Sequence, residues 1–438
     1  MRTATEENIL QGKGIAIVGA GISGLAAAKL ASHKDAKVRI LESDPGAVKA
    51  DKATWLEDNG IDILYGEHSP EQFENCDMVI LSPGIPPGQI RDLLPGENKI
   101  PMYSELEFAY WFIDSQIVGV TGTNGKTTTV RLIDHVLRNR GYNVFLGGNI
   151  GVPLSEYVLS EQKADIIVLE VSSFQLELIQ DFCPQVAVLL NVSPNHLDYH
   201  TDMQDYFQSK IRLFKNQKQG DLAILPAHMQ GVIERETSIL AEKKYFDHKK
   251  DWNCPGLIGP HNRGNIQAAS LVCNRWGITE QEVESAIQDF QPNPHRLQQV
   301  CEKSGVLFVD DSKATTLEAM RAALDSLDRP VLLLAGGIFK GGDPSSLCGL
   351  IKEKVRMIGL FGDSRNLFQE AWKDCAPVFW KTTLQEAIRE ISKAARPGDV
   401  VLLSPATSSF DLFGSYKERG EAFQKEVLEL DECLLSSA

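Results

Sequence analysis

The sequence predicts an α/β protein of three domains, and two observations lead to this prediction. Short apolar runs alternate with helix-like stretches along the chain, a pattern typical of parallel sheets covered by helices. The length of 438 residues suits roughly three domains of ordinary size. We expect a Rossmann-like N-terminal domain, a central P-loop ATPase-type domain with a mostly parallel sheet, and a C-terminal Rossmann-like α/β domain.

Turn-rich passages divide the chain into these three domains. The turns of Pro83–Pro101 close a first domain over residues 1–105, and the linker Phe290–Pro294 closes a central domain over residues 106–294, which leaves 295–438 for the third. The predicted strands are Gly14–Val18, Val38–Leu41, Ile61–Tyr65, Met78–Leu81, Ile117–Val120, Ile166–Leu169, Val186–Leu190, Leu222–Leu225, Val306–Val309, Val331–Ala335, Met357–Phe361 and Val400–Leu403. The predicted helices include Leu25–Ser32, Val130–Arg140, Met203–Phe214 and Asn265–Trp276.

Composition excludes several classes of partner. The formal net charge of −15 argues against nucleic acid or an anionic membrane. The eight cysteines are scattered without a C-x-x-C pair, which indicates reduced thiols in a cytosolic protein and no zinc site. No apolar run approaches ~20 residues, and the N-terminal stretch lacks the apolar core of a signal peptide. We expect a cytoplasmic protein without membrane insertion, and we expect it to be a monomer.

A glycine-rich segment, GVTGTNGKTTT at Gly119–Thr129, lies between an apolar run and a helix-like stretch. Its glycines let backbone N–H groups curl around a phosphate, Lys126 can reach the outer oxygens, and the Thr127 hydroxyl can bind Mg²⁺. A strict P-loop would have glycine at position 120, where this chain has Val120. The sequence predicts an ATP or GTP site formed by Gly122, Thr123, Asn124, Gly125, Lys126, Thr127 and Thr128.

A second glycine motif, G-x-G-x-x-G at Gly19–Gly24, lies between the first strand and the first helix. Glu42 ends the second strand, where an acid often binds a ribose hydroxyl, and Ser82–Gly84 follows the fourth strand. These features predict a nucleotide with a diphosphate and leave open NAD, FAD, a nucleotide sugar, or a tight turn without any ligand.

Three side chains of the central domain are candidates for metal chemistry. Glu170 ends a buried strand beside the P-loop, where it can hold Mg²⁺ or act as an N-cap or solvent-facing acid. His196 follows the next strand and shares its edge. Lys210 continues the apolar stripe of its helix, so burial would lower its pKa and favour a neutral amine that can form a carbamate with CO₂. The alternative for Lys210 is a lysine that snorkels at the edge of the core.

Polar residues also follow strands or open helices nearer the C-terminus. Asn262 and Asn265 share one face of a helix, where they can contact a base or ribose or cap the helix. His295 and Arg296 follow the linker, where an arginine suits a phosphate or ribose clamp or an interdomain salt bridge. The segments Asp310–Thr315, Gly336–Gly341 and Ser404–Asp411 each follow a strand and carry lysines and hydroxyls that would suit a small dianion or a terminal phosphate.

Taken in chain order, the segments TGTNGKT, LEVSSFQLE, HLD, HNRGN, PHR, DDSKAT and LSPATSSFDLF resemble the Mur ligases of peptidoglycan synthesis. Within that family, SSFQLE, DSKAT and SPATSSFD resemble the members that add D-glutamate. The resemblance implies an ATP-dependent amide ligase that joins D-glutamate to UDP-N-acetylmuramoyl-L-alanine through an acyl phosphate. It also implies that the third domain binds the incoming amino acid and closes over ATP.

The resemblance assigns roles to individual residues. It implies that Thr127 and Glu170 serve one Mg²⁺ and that His196 and a carbamate on Lys210 serve a second, with Lys126 on the β- and γ-phosphates. The adenosine and phosphates would further contact Asn265, Arg296, Asp311 and Lys313. The UDP-linked substrate would contact Ile22, Ser23, Glu42, Ser43, Ser82, Gly84 and Asn149, which replaces the dinucleotide interpretation. D-glutamate would contact Thr315, Lys340, Ser409, Phe410 and Tyr416.

Two positions depart from the family pattern, since Asn195 stands where aspartate usually precedes the histidine and Thr316 stands where DSKATN would have asparagine. Three other classes compete with the ligase. An NAD-dependent oxidoreductase would leave the P-loop without a role, and a kinase or regulatory NTPase would leave the lysines of the third domain without one. A nucleotide-sensing module would need neither Glu170 nor His196.

Overall fold

The computed structural model describes residues 9–48, 50–96, 100–196, 199–257, 259, 261–291 and 294–435. Four predicted features fall outside these ranges in whole or in part: the N-terminal stretch up to residue 8, positions 97–99 of the turn-rich passage, the residues Leu197 and Asp198 after His196, and positions 292 and 293 of the linker. Along the described chain, sheet-forming and helical segments alternate as the sequence predicts.

The first sheet has five strands, all paired in parallel. They are Gly14–Val18 (β1), Lys37–Glu42 (β2), Asp62–Tyr65 (β3), Met78–Leu81 (β4) and Met102–Ser104 (β5), in the order β3-β2-β1-β4-β5. The helices of this region are Ile22–His33 (α1), Ala50–Asp58 (α2), Pro87–Arg91 (α3) and Glu105–Tyr110 (α4). The order of the strands reverses beside β1, so the loops after β1 and β4 meet at the site that open parallel sheets use for ligands.

The second sheet has six strands, again all parallel. They are Gln116–Thr121 (β6), Val144–Gly148 (β7), Ile166–Glu170 (β8), Val186–Leu189 (β9), Leu222–Pro226 (β10) and Glu242–Phe246 (β11), in the order β11-β10-β9-β6-β8-β7. The helices are Lys126–Asn139 (α5), Leu154–Leu159 (α6), Ser173–Glu177 (α7), Met203–Ile211 (α8), Gln230–Glu236 (α9), His261–Asn274 (α10) and Glu280–Ala286 (α11). The P-loop follows the central strand β6, between β8 and β9.

The third sheet has six strands, of which only the first runs antiparallel to its neighbour. They are Gln298–Lys303 (β12), Val306–Asp310 (β13), Val331–Gly336 (β14), Val355–Phe361 (β15), Val378–Trp380 (β16) and Val400–Leu403 (β17), in the order β12-β13-β17-β14-β15-β16. The helices are Leu317–Asp325 (α12), Cys348–Lys354 (α13), Arg365–Trp372 (α14), Leu384–Ser392 (α15) and Tyr416–Glu429 (α16). The loops after β13, β14 and β17 therefore lie side by side at one edge.

The chain folds into two compact units. The first comprises residues up to 251 together with 264–287 and contains the first two sheets, and the second comprises 252–263 with the rest of the chain and contains the third sheet. In the first unit one apolar cluster runs through both sheets, with Leu30, Phe108 and Leu169 among its members. A second cluster, which includes Phe73 and Ile90, packs on the first sheet. The three predicted domain ranges stay a prediction.

Two buried carboxylates hold the first two sheets together. The side chain of Glu107 accepts hydrogen bonds from the backbone N–H groups of Gln180, Asp181 and Phe182 and from the indole of Trp111. Glu105, in the same helix, accepts from the backbone N–H of Ser155, and burial raises the pKa of its carboxyl group. Because buried carboxylates are costly unless they are hydrogen-bonded, these contacts fix α4 against the second sheet.

The α/β fold with mostly parallel sheets is confirmed, and the cysteines among the described residues are all free thiols, as expected. The central strands agree closely with prediction, whereas β5, β7, β11, β12 and β16 were not predicted. The helix expected at 203–214 ends earlier, at Ile211, and continues as a 3-10 turn over Arg212–Phe214. No helix in the described ranges is long and apolar enough to cross a membrane.

Candidate active site

The P-loop is shaped by a glycine that no other residue can replace without strain. Gly125 precedes α5 with φ of 86°, and a Cβ atom there would lie 2.4 Å from Oδ1 of Asn265. The buried side chain of Asn265 is thus packed against the loop from α10. Asn124, in turn, exchanges two hydrogen bonds with the Asn191 side chain after β9. The loop is preorganised from two sides, with its N–H groups at the start of a helix where phosphate is favoured.

Two lysines converge on one carbonyl of this loop. The side-chain nitrogens of Lys126 and Lys210 both donate to the backbone oxygen of Gly122, over 2.8 and 3.0 Å, and Lys126 also donates to the carbonyl of Thr123. Lys210 is 1% exposed, which excludes the snorkelling alternative. Burial lowers the pKa of Lys210 to about 6, with a further lowering from the Lys126 charge. Its amine is therefore largely neutral at pH 7, the form that reacts with CO₂.

Glu170 lies between the P-loop and the loop after β7. One carboxylate oxygen accepts from the Thr127 hydroxyl over 2.7 Å, and the other accepts from the side-chain amide of Asn149 over 2.8 Å. Glu170 is 3% exposed, and Ser172 is the residue that caps the following helix, so the solvent-facing and N-cap alternatives for Glu170 are both wrong. A hydroxyl and a carboxylate in contact are the hard oxygen donors that Mg²⁺ prefers, so this pair fits the predicted ion.

Tyr206 connects the second pair of predicted metal ligands. The Lys210 side-chain nitrogen lies 4.3 Å from the centre of the Tyr206 ring, and the centre of the His196 ring lies 6.2 Å from that point. The Tyr206 hydroxyl is 3.3 Å from the hydroxyl of Thr123, in the P-loop. His196 is exposed, has φ of 55° and packs its ring on Phe174. Among the described residues, no group of three or more His, Cys, Asp or Glu side chains forms a ready metal cluster.

The glycine loop of the first sheet is tied to both neighbouring strands. The backbone N–H of Ala20 donates to Glu42 over 2.7 Å, and the Ser82 hydroxyl donates to the carbonyl of Gly19 over 3.0 Å. Ser43 and Gly84 are exposed, Ser23 is half-buried, and Ile22 is 73% exposed although it is apolar. The structure therefore brings Glu42 and Ser82 together with the glycine loop, as the resemblance implies for the UDP group. Asn149, which the resemblance assigns to the same substrate, lies instead beside Glu170 at the second sheet.

A small cleft lies between the loop after β4 and the second sheet. It is lined by Ser82 and Gly84 from the first sheet and by Phe174 and Tyr199 from the second. Phe174 also contacts the His196 ring, with ring centres 4.9 Å apart. The loop after β4 and the second sheet are therefore in close proximity beside His196.

In the second unit, the three strand-end loops are bonded to one another. Ala406 N–H donates to the carbonyl of Ala314, and Ile338 and Ser408 exchange backbone hydrogen bonds of 3.0 and 2.9 Å. These bonds bring together the loops that carry the residues predicted to bind the amino-acid substrate. Of these residues, Thr315 is half-buried, Ser409 is buried, and Lys340 and Phe410 are exposed. Tyr416 starts α16, and the ammonium of Lys313 lies 5.5 Å from its ring centre.

Asp311 is a buried acid in this region. It accepts hydrogen bonds from the Ser404 hydroxyl over 2.9 Å and from the backbone N–H of Leu297. Burial raises the pKa of Asp311 to about 7, against the lowering effect of those hydrogen bonds. Arg296 is exposed, and its neighbour His295 is buried with Nδ1 2.7 Å from a carboxylate oxygen of Asp310. The loop that carries Arg296 is thus fixed by its neighbours.

Sequence reasoning assigned no site role to Tyr206, Asn191 or Arg419, and it named Ser404 only as the first residue of the segment Ser404–Asp411. Arg419 gave a usable signal, because it precedes Phe423 and Val427 by one and two helical turns and so falls on the buried face of α16. The same signal had pointed to Lys210. Asn191 and Ser404 gave none, since their importance depends on pairs of loops that meet only in the fold.

Comparison with known proteins identifies the family. Three family models match the chain: the MurD N-terminal domain over residues 14–90, the Mur ligase middle domain over 120–254, and the Mur ligase, glutamate ligase domain over 295–407. The chain is 48% identical to the UDP-N-acetylmuramoylalanine--D-glutamate ligase of Oleidesulfovibrio alaskensis, over 94% of this chain and 93% of that protein. It is 46% identical to the ligase of the same name from Nitratidesulfovibrio vulgaris, over 94% of this chain and 95% of that protein.

Solved structures show the same fold at lower identity. A MurF ligase from Thermotoga maritima in complex with ADP aligns with a TM-score of 0.57 and 20% identity, over 91% of this chain and 95% of that one. A pseudomurein peptide ligase type C from Methanothermus fervidus aligns with a TM-score of 0.53 and 16% identity, over 96% of this chain and all of that one.

The chain belongs to the Mur ligase family. Its members are ATP-dependent ligases that act on small molecules, so the predicted enzyme class is confirmed and the oxidoreductase, NTPase and sensing alternatives are not supported. Within the family, the match to the MurD N-terminal domain and to relatives named as D-glutamate ligases agrees with the predicted branch.

Proposed function

We propose that this Mur ligase joins D-glutamate to UDP-N-acetylmuramoyl-L-alanine with ATP, as a step of peptidoglycan precursor synthesis in the cytoplasm. The observation that carries the proposal is the 48% identity to a relative of that activity over 94% of this chain.

The first step activates the alanyl carboxylate. A carboxylate oxygen attacks the γ-phosphorus of ATP, the bond to ADP breaks, and an acyl phosphate forms. Lys126 neutralises negative charge on the β- and γ-phosphates, and the P-loop N–H groups hold the phosphates in line for the attack. Asn265, Arg296, Asp311 and Lys313 are proposed for the rest of the nucleotide, and the Glu42–Ala20 and Ser82–Gly19 contacts support a UDP site at the first sheet.

Mg²⁺ would supply charge neutralisation at the phosphate oxygens. Thr127 and Glu170 would hold one ion, and their 2.7 Å contact places the two donors side by side. His196 and a carbamate on Lys210 would hold a second. The carbamate forms when the neutral amine attacks CO₂ and loses a proton, which converts a buried neutral amine into an anionic oxygen ligand. The neighbouring Lys126 charge, which disfavours a second cation there, favours that anion.

The second step forms the amide bond. The amine of D-glutamate attacks the acyl carbon, the tetrahedral intermediate collapses, and phosphate leaves. Thr315, Lys340, Ser409, Phe410 and Tyr416 are proposed to surround the amino acid, where Lys340 offers a positive charge to its carboxylates. The protein supplies mainly positioning and charge stabilisation in this step.

Omission of substrates tests the reaction class. Phosphate release from ATP and Mg²⁺ is expected only when both UDP-N-acetylmuramoyl-L-alanine and D-glutamate are present. Robust hydrolysis of ATP alone would contradict the proposal and favour an NTPase, and tight NADH binding would favour an oxidoreductase. Light scattering tests the proposed monomer, for which we expect a mass near 48.4 kDa. A mass of twice that value would contradict it.

A further inference from the structure

Arg419 is a fully buried arginine that contacts three functional loops. It lies in α16 at 0% exposure. Its guanidinium donates to the Ser312 hydroxyl over 3.0 Å and to the carbonyls of Ser312 and Thr407 over 2.9 and 3.0 Å. Longer contacts of 3.4 Å reach the carbonyl of Gly336 and the hydroxyl of Thr407. One side chain thereby bonds to the loops after β13, β14 and β17.

Each of these loops carries residues proposed to bind the amino acid. Ser312 lies in the segment that leads to Thr315, and its hydroxyl also donates to the carbonyl of Tyr416 over 2.8 Å. Gly336 opens the segment that leads to Lys340, and Thr407 lies just before Ser409 and Phe410. A shift of the guanidinium would therefore move all three loops together.

A close contact fixes the helix that carries Arg419, α16, in position. The next residue, Gly420, lies against the buried pair formed by His295 and Asp310. A Cβ atom at Gly420 would lie 2.0 Å from Nδ1 of His295 and 2.8 Å from a carboxylate oxygen of Asp310. This close approach fixes the position of α16 along its axis, so the Arg419 guanidinium is held at a defined point beneath the loops.

The charge of Arg419 has no direct counter-ion. Among the described residues, no carboxylate lies within 4.0 Å of its guanidinium, which meets only carbonyl and hydroxyl oxygens. Burial lowers the pKa of Arg419 to about 10, so the group stays protonated at neutral pH. The charges of Asp411 and Asp310 oppose that lowering, so they offset part of the Arg419 charge from beyond ion-pair distance. Because the guanidinium bonds directly only to carbonyl and hydroxyl oxygens, part of its charge remains available to stabilise an incoming dicarboxylate.

We propose that Arg419 is the positioning residue of the amino-acid site: it fixes the loops after β13, β14 and β17 and supplies the positive charge that favours a dianionic amino acid. The inference rests on the proposed function, because it takes the amino acid to be D-glutamate. Arg419 acts through Ser312, Thr407 and the loop carbonyls and is not placed in contact with substrate.

The test compares Arg419→Met, Arg419→Lys and a matched control, Arg356→Met. Arg356 lies in the same domain and pairs with Asp399. Because charged hydrogen bonds are lost, Arg419→Met is expected to raise KM for D-glutamate by roughly 10-fold or more. KM for the UDP-linked substrate should change less than about twofold, since its predicted site lies on other sheets. Arg419→Lys keeps the charge and should recover part of the loss, and Arg356→Met should change neither KM.

Equal changes in both KM values, or the same selective change in Arg356→Met, would overturn the assignment. If Arg419→Met does not fold, Thr407→Val and Ser312→Ala each remove part of the contact and should raise KM for D-glutamate selectively. Unchanged KM in both of those variants would also overturn it. A wild-type enzyme that ignores D-glutamate would instead refute the proposed function, so the two failures are distinguishable.

Discussion

The hydroxyl of Thr127 donates to the carboxylate of Glu170 over 2.7 Å and joins the first turn of α5 to the end of β8. The carboxylate thus lies directly beside the phosphate-binding loop, with its second oxygen held by Asn149. We expect this arrangement to present both donors to one Mg²⁺, and it leads to the first prediction.

Glu170→Gln keeps the shape of the side chain and removes its charge. We expect kcat to fall by roughly 100-fold or more, because charge neutralisation at the transferring phosphoryl group is lost. The Mg²⁺ concentration for half-maximal rate should rise. Titration of Mg²⁺ at saturating substrates measures both effects. Glu156→Gln, which removes an acid from a surface ion pair with Lys29, is the control and should leave both values unchanged.

The Lys210 carbamate has a direct chemical test. Lys210→Ala is expected to abolish turnover, and a short carboxylic acid should restore part of it by placing an anionic oxygen in the vacated space. The rescue is measured as the rate of Lys210→Ala with and without formate or acetate. Lys215→Ala, at an exposed lysine, is the control. Full activity of Lys210→Ala without any additive would eliminate the carbamate from the account.

The buried lysine should lower the stability of the free enzyme. The Gly122 carbonyl still accepts a hydrogen bond from Lys126 when Lys210 is replaced, so Lys210→Met leaves no orphaned acceptor there. We expect the variant to be more stable than wild type by about 2 kcal/mol near pH 7 while it is inactive. Urea unfolding in CO₂-depleted buffer gives the difference.

This stability difference should depend on pH with a defined sign. The pKa of Lys210 falls from 10.5 when unfolded to about 6 when folded, so between these values only the unfolded chain binds the proton. Wild-type stability therefore decreases as pH falls through this window, and the Lys210→Met variant lacks that component. The stability advantage of Lys210→Met over wild type should be small near pH 10 and largest near pH 6. A stability advantage that is constant across this pH range would show that folding does not lower the pKa of Lys210.

Gly125→Ala tests the shape of the P-loop. The new methyl group would meet the Asn265 side chain at 2.4 Å, in addition to the strain of φ 86°. Gly141→Ala is a matched control, because φ there is 85° and nothing lies within 4 Å of the added atom. We expect both to lose about 1 kcal/mol of stability from backbone strain, and only Gly125→Ala to weaken ATP binding, by roughly 10-fold or more. If calorimetry gives Gly125→Ala and Gly141→Ala the same ATP affinity, the role given to the Gly125–Asn265 contact is contradicted.

The strands that sequence reasoning found and missed differ in a physical way. Central strands such as β1, β6 and β17 are buried on both faces and read as continuous apolar runs, so they were predicted nearly to the residue. The missed strands β5, β7, β11, β12 and β16 all lie at sheet edges. Edge strands need no apolar run and often carry charge, as in Glu242–Phe246, so local composition does not reveal them.

The residues of the candidate site also divide into those that the sequence predicts and those that only the fold reveals. Lys126, Thr127 and Glu170 follow from a local motif and a strand end, and the fold brings them together. Arg419, Asn191 and Ser404 act through contacts between loops that are distant in the chain, and their partners follow only from strand order. Lys210 was recoverable because a charged residue on an apolar helical stripe is visible in sequence alone.

The central claim is the identity of the amine, and one measurement tests it directly. Phosphate release with ATP, Mg²⁺ and UDP-N-acetylmuramoyl-L-alanine is compared for D-glutamate, L-glutamate, L-lysine and meso-diaminopimelate. We predict release with D-glutamate alone, together with a product whose mass equals the two substrates less one water. Release with another amine and not with D-glutamate would contradict the account and assign this Mur ligase to a different step.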